Sequence, residues 1–238
     1  MVVLFNTEGR FGHQLSQYVT LLAYSKQYGK AFCHWRFQSR FGNFFCSRQK
    51  NRNEINISFR IVFYFLIYKL LKLFAVKKLK FSHVEFYLSA HKKQELVFDD
   101  TIQQLFLSNA KYVISDYVFN DVQILIKYKQ YVQQQLLPNI EIEKKVTGIT
   151  QLMHSKYKIL VGLHIRRTDF KYFENGRFYY NDEVYLMAIT HFINAINTPN
   201  KEIAFVLCSD EDIDVSKYAS YNIFFERRTT AEDFFLLA

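Results

Sequence analysis

Residues 162–169 read G-L-H-I-R-R-T-D and directly follow the apolar run Ile159-Leu160-Val161. Two adjacent arginines at the end of a buried strand cost free energy unless an anion meets them. Successive strand residues face opposite sides, so Arg166 and Arg167 cannot point the same way while the strand stays regular. One then reaches a crevice while the other pairs with a carboxylate such as Asp169. A guanidinium is planar and always charged, and suits bidentate contact with phosphate or pyrophosphate. A structural Arg–Asp network at a strand end accounts for the same residue types. A second candidate is the loop E-G-R-F-G-H-Q, which joins the apolar opening MVVLF to a helix. Gly9 and Gly12 permit a tight turn, and free amides at a helix start attract anionic oxygens. The spacing is neither GxGxxG nor GxxxxGK[ST], and a plain β–α turn explains it as well. His13 reads as a helix N-cap first and as a proton donor second. The third candidate is C-S-D-E-D at 208–212, again after a strand. Its acids either cap a helix or hydrogen-bond a nucleoside. Adjacent carboxylates also raise a divalent metal. No DxD pattern stands in a phosphate-facing loop, so no metal ligands are assigned.

The elements that must position these groups follow from the apolar pattern. MVVLF reads as a short buried strand. Leu15, Tyr18, Val19, Leu22 and Tyr24 recur at helical spacing until Gly29 stops the helix. AFCHW (31–35) reads as a second strand, and 36–56 is polar, basic and without a clear pattern. Residues 59–80 form the most apolar segment, but Lys69 and Lys72 interrupt it, which argues against a membrane span. A helix with a broad apolar face and a basic flank fits, either packed in the core or lying on an anionic membrane surface. Further apolar runs stand at 97–107 and 112–119, and a polar helical stretch breaks at Pro138. A domain boundary is expected near 140–157. Beyond it come strand 158–165, helix 182–196, strand 202–209, strand 222–226 and a helix from Thr230. Alternating strands and helices imply a parallel sheet with right-handed crossovers, and ligands bind at the strand ends of such sheets.

Composition sets wide bounds. The chain has 238 residues, half of them hydrophobic, with a formal charge of +9 and a sequence pI near 9.3. That balance favours phosphate-bearing ligands, nucleic acid or an anionic membrane without choosing among them. The 17 Tyr and 25 Phe are scattered rather than set in an RNA-stacking signature, so they read as core. Cys33, Cys46 and Cys208 lack metal-finger or CxxC spacing, which suggests a reducing compartment. No charged-then-apolar leader opens the sequence, so the expected location is cytoplasmic, peripheral at a membrane if 59–80 binds one. The alternative is the Golgi membrane, should an N-terminal anchor precede this sequence.

Taken together and in order, the motifs resemble those of the alpha-1,2-fucosyltransferases, glycosyltransferase family 11. G-R-F-G-H-Q-L-S-Q-Y resembles the family's G-R-[LF]-G-N-Q-x-x-Q-Y, and G-L-H-I-R-R-T-D-F resembles V-x-H-x-R-R-G-D-Y. F-V-L-C-S-D-E-D resembles F-x-F-S-D-D, and T-A-E-D-F-F-L-L resembles the final D-L-x-L-M-S helix. The Arg-Arg motif is shared with alpha-1,6- and protein O-fucosyltransferases. The resemblance implies an α/β fold, GT-B-like, with two Rossmann-like domains: an acceptor-side domain over 1–150 and a GDP-fucose-binding domain over 151–238. The implied reaction is inverting and metal-independent, with no cofactor beyond the donor substrate GDP-fucose and a galactoside hydroxyl as acceptor. Arg166 would hold the pyrophosphate, His164 would line the nucleotide pocket, and Arg167 would support the loop with Asp169 beside it. Ser209 and Asp210 would shape the base pocket, and Asp233 would reach the guanine or ribose. The loop Gly9, Arg10, Gly12, His13 and Gln14 would face the phosphates and the transferred sugar, making Arg166 and His13 the catalytic candidates. Charge growing on the leaving phosphate is where a fixed guanidinium stabilises most.

The sequence departs from the family in two places. His13 stands where the family has Asn, and the chain ends before the family's N-S-[ST]-F-S-W-W segment. The second domain is therefore expected to be incomplete, leaving Phe234, Phe235 and Leu237 short of a partner surface. A remnant that keeps a partial GDP-sugar site is one rival reading, and a basic membrane-surface or nucleic-acid-binding protein is the other. No nucleic-acid motif is present, so GDP-fucose and a glycan are the expected partners.

Overall fold

MVVLF is apolar at every position, as a strand covered on both faces requires, and Val2 to Phe5 are fully buried. The structure, a computed structural model, describes residues 1–5, 9–46, 59–74, 76–89, 96–97, 99–119, 121–196 and 198–238. Asn6 to Glu8 of the opening loop, and 47–58 of the stretch without a clear pattern, lie outside the described residues. The chain divides into two compact units, Met1–Asn139 and Ile140–Ala238.

The first unit runs, in chain order, through β1 (Val2–Leu4), α1 (Phe11–Tyr28), β2 (Phe32–His34), α2 (Trp35–Phe41) and α3 (Phe59–Leu73). Next come β3 (Lys78–Phe81), β4 (Val84–Tyr87), β5 (Leu96–Val97), α4 (Asp99–Leu107), β6 (Tyr112–Ser115), β7 (Val118–Phe119), α5 (Val122–Lys127) and α6 (Lys129–Gln135). Five strands form one sheet in the order β2-β1-β6-β4-β3, parallel except for the edge strand β3. Gly29 ends α1 in the left-handed conformation at φ 61°, the stop its position suggested. Ile61 and Tyr68 of α3 pack against Val3, Phe5, Phe86 and Ile114.

The helix expected over 59–80 ends at Leu73. K-L-K-F at 78–81 alternates with period two and pairs antiparallel with β4, Leu79 opposite Phe86 and Phe81 opposite Val84. Its exposed lysines are what an unpaired sheet edge needs to resist further strand addition. Among the described residues, no helix is long and apolar enough to cross a membrane. None of the three cysteines is in a disulfide.

The second unit comprises α7 (Ile140–His154), β8 (Ile159–Ile165), α8 (Asp182–Ala195), β9 (Ile203–Ser209), β10 (Ile223–Phe225) and α9 (Thr230–Leu237). Its sheet is parallel throughout in the order β10-β9-β8. β9 lies between the other two strands and is buried at all seven positions, matching its unbroken apolar sequence. Alternation along β8 sends Val161, Leu163 and Ile165 into the cluster under α8, while Leu160 packs with Met153, Ala204 and Val206. α9 packs through Leu236, which joins that second cluster, and Lys145 of α7 meets Glu232 at 2.6 Å, while Leu237 stays 38% exposed. Gly162 lets α9 approach, since a Cβ there would stand 2.4 Å from Leu237 Cδ2.

Candidate functional site

Parallel strands in register end together. Ile165 lies beside Ser209, and Phe225 beside Leu207, so the residues that follow β8, β9 and β10 gather at one edge. These are Arg166-Arg167, Asp210-Glu211 and Arg227-Arg228.

The two arginines of the first pair diverge, as strand alternation requires. Arg167 turns into the α8 side and is 7% exposed. Its Nε donates to the Tyr180 carbonyl at 2.9 Å, Nη2 to Asp182 Oδ1 at 2.6 Å and Nη1 to Glu211 Oε1 at 3.3 Å. Asp182 opens α8 behind its N-cap Asn181. Burial pushes the Asp182 carboxyl up, but hydrogen bonds from Lys217, Arg167 and Tyr218 together hold it down at about 2. Arg166 stays about one-third exposed and grips Asp169 with both arms of its fork, at 3.0 and 2.6 Å, with Phe170 beneath it at 4.5 Å. Asp169 thus pairs with Arg166, the arginine read as the phosphate contact, and Arg167 satisfies other carboxylates.

Asp210 secures the turn after β8. It accepts the Arg167 amide at 2.9 Å and the Thr168 amide and hydroxyl. Ser209 Oγ accepts the Glu211 amide, and His164 is exposed near the end of β8. Asp233, in the first turn of α9, accepts from Arg228 Nε at 2.9 Å. Arg228 is the residue that sequence reasoning missed. Its side chain is 4% exposed; the guanidinium donates to the Leu207 carbonyl at 2.6 Å and leaves Nη1 buried without a partner among the described residues. Arg227 donates to the Ser209 and Asp210 carbonyls. A second Arg-Arg pair directly after the apolar strand N-I-F-F-E was the available signal, since it repeats the pattern after β8. Cys208 beneath them has its thiol pushed up to about 12 by burial and by Asp233. Among the described residues, no three His, Cys, Asp or Glu gather closely enough to hold a metal ion.

The other predicted residues lie in the first unit, Gly9 and Arg10 just before α1 and Gly12, His13 and Gln14 in its first turn. Gly9 has φ 83°, and any Cβ there would meet the His13 ring 2.5 Å away. Arg10 is the N-cap of α1, with no side-chain cap bond, which corrects the reading of His13 as the cap. His13 lies inside the helix and is exposed, whereas Gln14 is buried. Gly12 faces open space and helps line a cavity of about 430 Å³ with Leu15, Val19, Leu125, Val132 and Leu136. That wall is mostly apolar, with Ser16, Lys129 and Gln133 as its polar groups. Behind the loop, His34 ends β2 and is fully buried; its Nδ1 accepts the Phe37 amide and caps α2. The structure therefore gathers His164, Arg166, Arg167, Asp169, Ser209, Asp210 and Asp233 at one sheet edge of the second unit. Gly9, Arg10, Gly12, His13 and Gln14 form a separate group in the first.

No protein-family profile matches the sequence, and no curated protein matches it. Solved structures do. The NodZ alpha-1,6-fucosyltransferase soaked with GDP-fucose aligns at a TM-score of 0.55 and 15% identity, over 98% of this chain and 79% of that one. The fucosyltransferase NodZ from Bradyrhizobium aligns at 0.54 and 13%, over 99% and 81%. The fold is the GT-B-like α/β fold that these fucosyltransferases adopt.

Proposed function

We propose that the chain transfers L-fucose from GDP-fucose to a glycan hydroxyl, with the donor bound at the strand ends of the second unit. One observation carries this reading: two Arg-Arg pairs and their carboxylates stand at the C-terminal edge of a parallel sheet, where α/β proteins hold nucleotides. The neighbouring NodZ structure was soaked with GDP-fucose, which supports that donor. Arg166, the more exposed of its pair, takes the pyrophosphate by exchanging Asp169 for phosphate oxygens. Arg167 positions it from below through Asp182 and Glu211, while His164, Ser209, Asp210 and Asp233 border the nucleotide. As GDP leaves, negative charge grows on its phosphates, and a guanidinium already in place stabilises that change without reorganisation. By the motif resemblance the first unit is the acceptor side, with Gly9, Arg10, Gly12, His13 and Gln14 as its candidate residues. The motif resemblance makes the acceptor a galactoside and the linkage alpha-1,2, with inversion and without a metal. The test is incubation with radiolabelled GDP-fucose and a panel of galactosides and other glycans, with and without EDTA. Chelator-insensitive label on a galactoside 2-hydroxyl is expected. Loss of turnover in EDTA, restored by manganese, contradicts the metal-free reading, and labelling at another hydroxyl contradicts the linkage.

A second reading, a GDP-sugar binder that does not transfer, draws support from the bidentate hold of Asp169 on Arg166. It predicts saturable GDP binding with no labelled glycan.

A further inference from the structure

α3 presents two faces. Ile61 and Tyr68 are buried in the core of the first unit, and the 3.6-residue period places Phe59, Val62, Phe63, Leu66, Leu70 and Leu73 on the opposite side. All six are exposed, Phe59 at 86%, Leu66 at 57% and Leu73 at 79%. The apolar surface continues onto the sheet edge. Leu79 and Phe81 of β3 stand opposite Phe86 and Val84, which belong to the cluster under α3, so their side chains lie on the α3 side of the sheet. Phe81 is 74% exposed.

Charge indicates what covers this face. Between Phe59 and Val84 stand Arg60, Lys69, Lys72, Lys77, Lys78 and Lys80, and no Asp or Glu. Lys72 turns inward to Asp116 at 2.9 Å, and Lys80 meets Glu85 at 2.8 Å. Lys69 lies over the Phe65 and Tyr68 rings and Lys78 over Tyr87, aromatic contacts that leave their charge unneutralised. Helical spacing puts Arg60 and Lys69 on the two flanks of the apolar stripe. An apolar stripe between cations is the pattern of a helix lying in the headgroup region of an anionic bilayer. A second copy of the chain fits poorly, because it would set these cations against their own kind with no acid between them.

We propose that the outer face of α3, continued by Leu79 and Phe81, docks on the surface of an anionic membrane without crossing it. The inference is independent of fucosyl transfer, and vesicle binding tests it without any activity readout. The full chain is sedimented with phosphatidylcholine vesicles and with phosphatidylserine-rich ones. Partition onto the anionic vesicles should exceed that onto neutral ones by more than about tenfold and fall steeply with salt. Phe63→Glu with Leu66→Glu should weaken binding by more than about tenfold. Lys69→Glu, a surface charge change too small to unfold the protein, should weaken binding to the anionic vesicles and leave the thermal melt unchanged. Equal partition onto both vesicle types overturns the proposal. So does wild-type binding in both variants, or a concentration-dependent dimer that the double variant dissolves while no lipid is bound.

Discussion

Arg166 and Arg167 are neighbours in sequence, yet what surrounds them gives them opposite consequences when removed. Arg167 is buried and donates to the partly exposed Asp182 and Glu211 and to the Tyr180 carbonyl, so Arg167→Ala removes three bonds and the packing of its stem and should cost about 3 kcal/mol of stability. Asp182 keeps Lys217 and Tyr218, which holds the loss at the low end for a broken buried pair. Arg166 and Asp169 are each about one-third exposed, so Arg166→Ala should change stability by less than about 1 kcal/mol. Urea unfolding of the two variants separates these roles; equal losses would mean that both arginines serve the fold alone. The glycines of the opening loop divide in the same way. Gly9→Ala meets a positive φ and the His13 ring and should destabilise by about 1–2 kcal/mol. Gly12→Ala, inside α1 with nothing near its Cβ, should be neutral or stabilising by up to about 1 kcal/mol. Thermal melts decide both.

At the scale of elements, the start of α2 depends on an uncharged imidazole. Burial lowers the His34 pKa from 6.5 to about 3, with His13 and Arg36 adding to the effect. The unfolded chain therefore binds this proton first as the pH falls. Stability contributed by neutral His34 is complete above the unfolded pKa and is lost as the pH drops from about 6.5 toward 3. His34→Asn keeps an acceptor for the Phe37 amide and removes the titration, so its stability should fall less between neutral pH and pH 5, as measured by denaturant midpoints across that range. Neither α2 nor this cap was legible beforehand, because W-R-F-Q-S-R-F has no conventional N-cap residue before it. The second unit was legible almost residue by residue: β8 and β9 are largely apolar runs, and Asn181 and Thr229 cap the helices that follow them locally. The end of α3 was not, since K-K-L-K-F continues a basic apolar helix as readily as it alternates along an edge strand. At the site, Arg166, Arg167 and Asp210 could be picked out by type and place. Their partners could not: Asp182 and Glu211 reach Arg167 across 15 and 44 positions of sequence, and only the strand register brings them there.

For the whole molecule, two parallel-sheet units each carry part of the predicted residue set, and the second carries the arginines proposed to hold the donor's phosphates. The +9 charge divides between two proposed anions, a nucleotide diphosphate at the Arg-Arg edge and a lipid surface at α3. Salt should weaken both, but removing Arg166 should affect only the first. The most direct measurement is calorimetric titration of GDP into the wild-type chain and into Arg166→Ala. The account predicts one saturable site per chain, weakened in the variant by about 1.5–3 kcal/mol, a factor of ten or more in affinity, with the melting temperature of the free protein shifted by no more than about 4 °C. No GDP binding by the wild type, or equal affinity in the two proteins, would contradict it.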